Sequence, residues 1–338
     1  MNQRDDKALH GGTRATLLVL LLLAFALRLT NLSLQNIWWD EARNIDVALR
    51  PFWQIPNAPE LDIHPPLYFW LLHGWSLLAG LKRGMPWEVI ALASRYLSVA
   101  AGLLGVLLLY QFTRRLGSRQ AALLAAAIGA CSPFWLAESQ ETRMYTLGFA
   151  LLLAAALALK KAIRDWRLDI PSISNLQSLI AFVLLSAAAL LTHYNAVFIL
   201  AAWYVWWAGV ALSGPRRWER LRLVLGSGLA MTLLVLPIAP IALRQIPGYA
   251  NPNLTVPGLG QYLWANWQGY LGGYAWQSDS LAWLRAGEWW LWAVGILGIG
   301  YWILGIGNWR LGIGDCMDMG APSSLQSTPS NLSSSPPG

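Results

Sequence analysis

The sequence predicts an all-α fold, a transmembrane helical bundle with about eight spans, and two observations support this class. Of the 338 residues, 56% are hydrophobic and only 12% are charged, whereas soluble domains carry about 25% charged residues. Several segments also run for about 16 to 20 residues without a charge, close to the roughly 20 that a helix needs to cross the hydrocarbon core. We therefore expect a multi-pass protein of the inner or plasma membrane, surrounded by membrane lipids.

The first span is predicted at residues 15–34, after three basic residues. Residues 24–26, Ala-Phe-Ala, would also fit the cleavage site of a signal peptide. The apolar run continues past that site, which favours an uncleaved helix with its N-terminus in the cytoplasm. Arg28, near the end of this span, is expected to reach the far interface by snorkelling. Further spans are predicted at 95–112, 120–137, 144–159, 178–193, 195–212, 222–243 and 288–306.

The segment at 65–81 is apolar but short, and the distribution of Lys and Arg decides whether it crosses the membrane. If it lies at the interface, 15 of the 24 Lys and Arg residues fall on the cytoplasmic side, and if it crosses, only 9 do. Cytoplasmic loops are enriched in basic residues, so the first arrangement is favoured. Residues 31–94 then form one extracytoplasmic loop, in which we expect amphipathic helices lying at the membrane surface.

This arrangement places the polar motifs of the chain on one side of the membrane. The interiors of the spans after residue 95 contain no Asp, Glu, Lys or Arg, whereas transporters usually carry ionisable groups inside their helices. The net charge of +7 is therefore attributed to topology and not to nucleic acid binding. The outer motifs are WWDEARNID (38–46), LDIHPPLYF (61–69), AESQETRMY (137–145) and THYN (192–195).

The pair Asp40-Glu41 follows two tryptophans that are typical of a membrane interface. Carboxylates held at that depth are candidates for a general base, although ion pairs and solvated loop charges occur in the same places. Arg43 lies three residues after Asp40, so it could pair with Asp40 on one helix face or bind a phosphate through parallel hydrogen bonds.

Metal and disulfide chemistry have little support in the sequence. Asp62 and His64 have no further partner at metal-ligand spacing, so no metal or other cofactor is expected, although a divalent ion is not excluded by the residues. Cys131 and Cys316 lie far apart in unlike contexts, which predicts neither a disulfide framework nor a cysteine metal site.

Taken in this order, WWDEARNID, DIHPPLYF, SQETRMYTL and THYN resemble the family-39 type of integral membrane glycosyltransferases, over residues 14–212. This group includes protein O-mannosyltransferases and the aminoarabinose transferases that modify lipid A. The resemblance implies the GT-C fold, horizontal helices in the first outer loop, a polyprenyl-phosphate sugar as donor, and transfer with inversion to an extracytoplasmic acceptor of unknown kind. His64 stands where the aminoarabinose branch has another basic residue, and it matches the Asp-x-His-Pro-Pro of the mannosyltransferase branch. This departure argues against the aminoarabinose activity, and the sequence does not name the sugar.

The resemblance also assigns candidate roles to residues of the outer motifs. The catalytic candidates are Asp40, Glu41 and Glu141. The candidates for binding the donor phosphate are Arg43, Arg143 and His64, and those lining the substrate pocket are Asp62, Tyr145, His193 and Tyr194.

The expected domain organisation is a transmembrane glycosyltransferase module at 1–313 and a disordered tail at 314–338. The tail is rich in Ser and Pro and cannot form a packed core. It follows the Gly- and Trp-rich last span abruptly, which is consistent with an origin in a frameshift or a truncated gene. Two alternatives to an active enzyme follow: a truncated, inactive family member, or a membrane protein that binds or transports a polyprenyl lipid without chemistry. A transporter would be expected to show paired repeats with broken helices, which the sequence does not clearly contain.

Overall fold

The computed structural model describes residues 3–167, 173–213, 216–247 and 257–272. These residues all belong to the first of two compact units, Met1–Trp276, and the second unit is Gln277–Gly338. The described ranges contain helices and no strand, which confirms the predicted all-α class. The predicted span at 288–306 and the tail at 314–338 lie outside the described residues.

The helices follow one another along the chain with short connections. Three 3-10 turns occur at Phe52–Asn57, Pro59–Leu61 and Leu236–Ile238. The α-helices are α1 (Gln3–Leu29), α2 (Trp39–Ala48), α3 (Leu67–Leu78), α4 (Trp87–Leu116), α5 (Arg119–Cys131), α6 (Pro133–Ser139), α7 (Tyr145–Arg167), α8 (Ile173–Thr192), α9 (Ala196–Leu212), α10 (Arg217–Val235), α11 (Ala239–Gln245) and α12 (Leu259–Gly272).

The predicted spans before residue 247 all overlap helices, but the first helix ends at Leu29, before the predicted end at 34, and the span at 120–137 is divided between α5 and α6. In the described part of the chain, four are long and apolar enough to cross a membrane: Gly12–Leu29, Trp87–Leu116, Tyr145–Arg164 and Arg217–Gln245. Helices α5 and α6 would make a fifth crossing that bends by 57°, and α8 and α9 are shorter apolar helices. The chain is therefore a multi-pass helical membrane protein.

The segment between α1 and α4, which we call the first outer loop after the predicted topology, contains only short helices. Helix α3 has 12 residues and is about 18 Å long at 1.5 Å per residue, which is too short for about 30 Å of hydrocarbon. Segment 65–81 therefore does not span, as the charge distribution predicts. The loop has a core of its own, in which Val47, Ile55, Leu61 and Phe69 pack with Met144. Met144 belongs to the segment between α6 and α7, which we call the second outer loop.

The two ends of the bundle differ in chemistry. At one end, the ammonium group of Lys160 on α7 donates to the carbonyl of Arg115 at the end of α4. At the other end, Tyr145 begins α7, and its ring centroid lies 5.8 Å from that of His193, which follows α8. The polar motifs thus gather at one end, and the basic residues of α4 and α7 lie at the opposite end.

Arg28 does not snorkel to the interface, and that expectation is wrong. Its side chain is 1% exposed, and its Nη1 and Nη2 atoms donate to the carbonyls of Ala130 and Gly129 at 3.1 and 2.9 Å. Helix α5 ends at Cys131, so these carbonyls have no partner within the helix. Arg28 supplies donors to them, and its Nε donates to Ser139 Oγ at 3.1 Å, which ties α1 to the bend between α5 and α6.

Candidate active site

The two neighbouring carboxylates of α2 point in different directions. Asp40 and Glu41 are successive residues of a helix, so their side chains leave the axis about 100° apart. The Asp40 side chain is 33% exposed, and the Glu41 side chain is fully buried. Only Asp40 is therefore placed to meet a substrate from outside the protein.

Glu41 forms a buried ion pair with Arg95 of α4. Arg95 Nε donates to Glu41 Oε1 at 2.8 Å, and Arg95 Nη2 donates to Oε2 at 2.7 Å. The backbone N–H of Thr142 also donates to Glu41 Oε1 at 2.8 Å. Because charge-assisted, bidentate contacts fix geometry well, this carboxylate links the first outer loop, α4 and the second outer loop.

Arg95 also binds the chain that leaves α1. Its Nη1 donates to the carbonyls of Leu32 at 2.7 Å and Gln35 at 2.9 Å, and its Nη2 donates to the carbonyl of Asn36 at 3.1 Å. Sequence reasoning assigned Arg95 no role. The sequence did contain a signal for such a role, because Arg95 is the one charged residue at the outer end of the predicted span 95–112. An unpaired charge at the end of a span is costly, so a buried partner could have been expected.

Asp40 forms an ion pair with Arg143 across 103 positions of the chain, between Asp40 Oδ2 and Arg143 Nη1. Arg143 Nη2 donates to the Tyr145 hydroxyl at 2.7 Å. The guanidinium carbon lies 5.3 Å from the ring centroid of Trp38 and 5.1 Å from that of Tyr145. Arg143 is thus held between two aromatic rings and is paired with the first outer loop, although Glu141 is its near neighbour in sequence.

Arg43 lies on the other side of the Asp40 carboxylate. Its Nη1 is 4.0 Å from Asp40 Oδ1 and 4.0 Å from Asp62 Oδ2, and its Nη2 donates to the carbonyl of Glu60 at 3.0 Å. Asp62 combines a φ of 56° with a ψ of −120°, a backbone conformation that residues other than glycine rarely adopt. The structure therefore brings both predicted phosphate-binding arginines to the same carboxylate.

The two histidines of the outer motifs lie beside this cluster. The ring centroids of His64 and His193 are 5.6 Å apart, and the Nδ1 atom of His64 is buried without a hydrogen-bond partner among the described residues. Burial, then the neighbouring His193 and Arg143, lower the pKa of His64 to about 3. Burial and Arg143 also lower the pKa of His193. Both rings are therefore neutral at physiological pH, as expected in a cluster whose arginines make further positive charge unfavourable.

Tyr194 is connected to the same cluster through α11. Its hydroxyl donates to Gln245 Oε1 at 2.8 Å, and Gln245 Nε2 donates to the backbone carbonyl of His64 at 3.4 Å. Gln245, which sequence reasoning did not single out, therefore joins the turn after α8 to the first outer loop.

Glu141 is buried near Glu41 and does not form an ion pair with Arg143. We call these two buried carboxylates the buried layer of the site. Glu141 is 9% exposed. Burial, followed by the nearby carboxylates of Glu138 and Glu41, raises the pKa of Glu141 to about 7. Glu138, another residue that sequence reasoning did not select, is 6% exposed, and its Oε2 has no hydrogen-bond partner among the described residues. Burial also raises the pKa of Glu138 to about 7, so Glu138 and Glu141 both change protonation near neutral pH.

Most of the residues selected from the sequence therefore form one cluster. Within the described ranges, no group of three or more His, Cys, Asp or Glu side chains is arranged to hold a metal ion. Residues joined in the cluster by contacts or hydrogen bonds are Asp40, Arg43, Asp62, His64, Arg143, Tyr145, His193 and Tyr194, and the buried layer holds Glu41 and Glu141.

The comparison with protein-family models agrees with the motifs. A family model described as dolichyl-phosphate-mannose-protein mannosyltransferase matches residues 63–242. No curated protein matches the chain. Among solved structures, the S. cerevisiae protein O-mannosyltransferase Pmt1-Pmt2 complex bound to the sugar donor matches with 19% identity and a TM-score of 0.49, over 69% of this chain. This chain covers 32% of that one, about a third of its length.

The family match includes the second outer loop and the turn after α8, and it begins one residue before His64. Asp40 and Arg43 precede the matched range, and their connection to it rests on the contacts described above. Because the match extends over more than half of the 338 residues, the chain belongs to the dolichyl-phosphate-mannose-protein mannosyltransferase family.

Proposed function

We propose that this protein transfers a sugar from a polyprenyl-phosphate donor to an acceptor outside the cytoplasm, with inversion at the anomeric carbon. The observation that carries the proposal is the ion pair of Asp40 with Arg143 from two separate loops, with Arg43 4.0 Å from the same carboxylate. A potential base and two guanidinium groups thus meet at one end of a membrane bundle. By the positive-inside rule, this is the outer end, and the N-terminus is cytoplasmic.

The position and charge of the cluster suit a lipid phosphate. The prenyl chain of such a donor lies in the bilayer, so its phosphate reaches the protein where the span ends and the outer loops begin. Arginine stays charged at every relevant pH and binds phosphate oxygens through a planar fork. Arg143 Nε is buried with no hydrogen-bond partner among the described residues, which leaves a donor for an incoming anion.

The reaction is a single displacement. The acceptor oxygen forms a bond to the anomeric carbon on the face opposite the phosphate, and the bond from that carbon to the phosphate oxygen breaks with its electron pair going to the phosphate. Asp40 takes the proton of the acceptor hydroxyl. Arg143 and Arg43 offset the charge that develops on the leaving phosphate.

The ion pair between Asp40 and Arg143 fits this sequence of events. A donor phosphate competes with Asp40 for the Arg143 guanidinium. When the phosphate takes that position, the Asp40 carboxylate loses its main counter-charge and is free to accept a proton. The Tyr145 hydroxyl, which Arg143 contacts at 2.7 Å, and the neutral ring of His64 then complete the polar surroundings of the phosphate.

The remaining selected residues have different proposed roles. Glu41 is a positioning residue, because it is fully buried and bound to Arg95. Asp62, His193 and Tyr194 line the side of the cluster away from Arg95 and are proposed to contact the sugar or the acceptor. Glu141, whose pKa is raised to about 7, is the second candidate for accepting the proton.

The test is sugar transfer by membranes that contain the protein, supplied with labelled polyprenyl-phosphate mannose and other polyprenyl-phosphate sugars. The variant Asp40→Asn should lose about 10²–10⁴-fold in turnover while donor binding persists. The matched control is Asp46→Asn on the same helix, because Asp46 pairs with Arg50 and Arg83 outside the cluster; this variant should keep its turnover.

Other outcomes separate the alternatives. Near-normal turnover of Asp40→Asn would assign the proton transfer to another group, with Glu141 tested next. Donor binding by the wild-type protein without any transfer would favour a lipid-binding protein, and the absence of both would favour an inactive family member.

A further inference from the structure

A narrow groove lies on the bundle between α8 and α10, far from the proposed active site. Its volume is about 220 Å³, below the roughly 300–1,000 Å³ of pockets for small metabolites. Leu179 and Val183 line it from α8, and Gly226 and Ala230, one turn apart, line it from α10. The groove is therefore shaped for a single apolar chain.

Arg222 lies at one end of this groove. Among the described residues that line it, Arg222 alone carries a charge, and it has no ion-pair partner in the described part of the chain. Helix α10 begins at Arg217, so Arg222 lies within its first two turns, and the groove runs from there deeper along the helix. A lipid fits this order of features, with its phosphate at the guanidinium and its acyl chain in the groove.

The charge around the mouth of the groove favours an anionic lipid. Residues 216–222 contain four arginines and one glutamate, a net charge of +3. Each Lys or Arg near a bilayer surface attracts anionic lipids by about 1 kcal/mol, which corresponds to about a fivefold preference. The guanidinium group adds paired hydrogen bonds to a phosphodiester.

The groove cannot serve the headgroup of the proposed donor. Gln245, which binds the backbone of His64, is 23 residues after Arg222, or about 35 Å along a helix at 1.5 Å per residue. The apolar segment Arg217–Gln245 is long enough to cross the membrane. Arg222 and the active-site cluster therefore face opposite leaflets.

We infer that the groove between α8 and α10 is a binding site for one anionic phospholipid from the leaflet at the basic end of the bundle, with Arg222 as its phosphate ligand. The site is separate from the proposed active site and does not depend on the proposed function.

Two variants of the full-length protein test the two halves of this site. Arg222→Gln removes the charge, and its matched control is Arg220→Gln, which makes the same change on the same helix outside the groove lining. Gly226→Leu fills the groove. A Cβ at Gly226 would meet nothing within 4 Å, and leucine favours a helix more than glycine does. Its control is Gly209→Leu on α9, where a Cβ also meets nothing within 4 Å.

The measurement is native mass spectrometry of the delipidated protein titrated with phosphatidylglycerol or phosphatidylcholine that carry identical acyl chains. The wild-type protein and Gly209→Leu should bind the first phosphatidylglycerol at least about fivefold more tightly than phosphatidylcholine. Arg220→Gln should keep most of this preference, because Arg220 does not line the groove. Arg222→Gln should lose this preference, and Gly226→Leu should lose the first bound lipid of either kind. Unchanged melting temperatures would show that the variants are folded.

Several results would overturn the inference. Equal behaviour of Arg222→Gln and Arg220→Gln would remove Arg222 from the site. Competition by glycerophosphoglycerol, which has the headgroup without the chains, would indicate a simple anion site. Displacement of phosphatidylglycerol by polyprenyl phosphate at equal concentration would assign the groove to the donor lipid.

Discussion

Replacing Arg95 by methionine tests whether the buried pair beneath the cluster holds the two outer loops in place. Glu41 is 0% exposed and Arg95 is 1% exposed. Removing one partner of a buried ion pair costs about 3–5 kcal/mol, because the other charge stays buried without compensation. At about 2–4 °C per kcal/mol for a unit of this size, the melting temperature should fall by roughly 6–20 °C.

A second substitution makes this prediction specific, because it should raise the melting temperature again. Adding Glu41→Gln to Arg95→Met removes the uncompensated charge, so the double variant should melt at a higher temperature than Arg95→Met alone. The control is Arg50→Met in the same loop. Arg50 is also ion-paired, but its side chain is 23% exposed, and exposed pairs contribute only about 0–1 kcal/mol.

The assay is the temperature at which the detergent-solubilised protein loses its monodisperse elution peak, followed by sugar transfer at a temperature where all variants are folded. A positioning role predicts that transfer also falls in the double variant, because Thr142 and the neighbouring Arg143 lose their anchor to the first loop. A melting temperature of Arg95→Met equal to that of Arg50→Met, or no recovery in the double variant, would refute the reasoning.

Three further predictions concern the phosphate ligand, the buried acid and the topology. Arg143→Lys keeps the charge but loses the planar guanidinium group that contacts Asp40 and the Tyr145 hydroxyl. The value of kcat/KM for the donor should therefore fall about tenfold or more, as expected for the loss of one charge-assisted hydrogen bond. An unchanged kcat/KM would exclude Arg143 from donor binding. The folded-state pKa of Glu141 is raised from 4.5 to about 7, so the folded protein binds more protons than the unfolded one in this window and its stability should fall as pH rises from about 4.5 to 7. Melting curves of Glu141→Gln should show a weaker decline across that range, and identical slopes would contradict the burial argument. The topology can be tested in a variant without the native cysteines. A cysteine at position 53, where Trp53 is 74% exposed, should react with an impermeant maleimide on intact cells, and a cysteine at position 117 should not. The reverse labelling pattern would show that the predicted topology is upside down in the membrane.

The family of this protein and the general position of its site were accessible from the sequence. Hydropathy over about 20 residues is a local property, so the spans before residue 247 were found at the correct places. The distribution of basic residues showed that segment 65–81 does not cross, and α3 has only 12 residues. Four short motifs in a fixed order gave the family, which the match over residues 63–242 confirms.

The tertiary structure decided how each charged side chain is used, because burial and pairing depend on contacts between distant segments. Arg28 was expected at the interface but binds carbonyls of α5 about 100 residues away. Asp40 and Glu41 are adjacent in sequence and were equivalent as candidates. The rotation of about 100° between successive helical residues sends Glu41 inward to Arg95 and leaves Asp40 beside Arg143 and Arg43. Only the contacts of Glu41 with Arg95 and with the backbone of Thr142 decide which of the two carboxylates is buried.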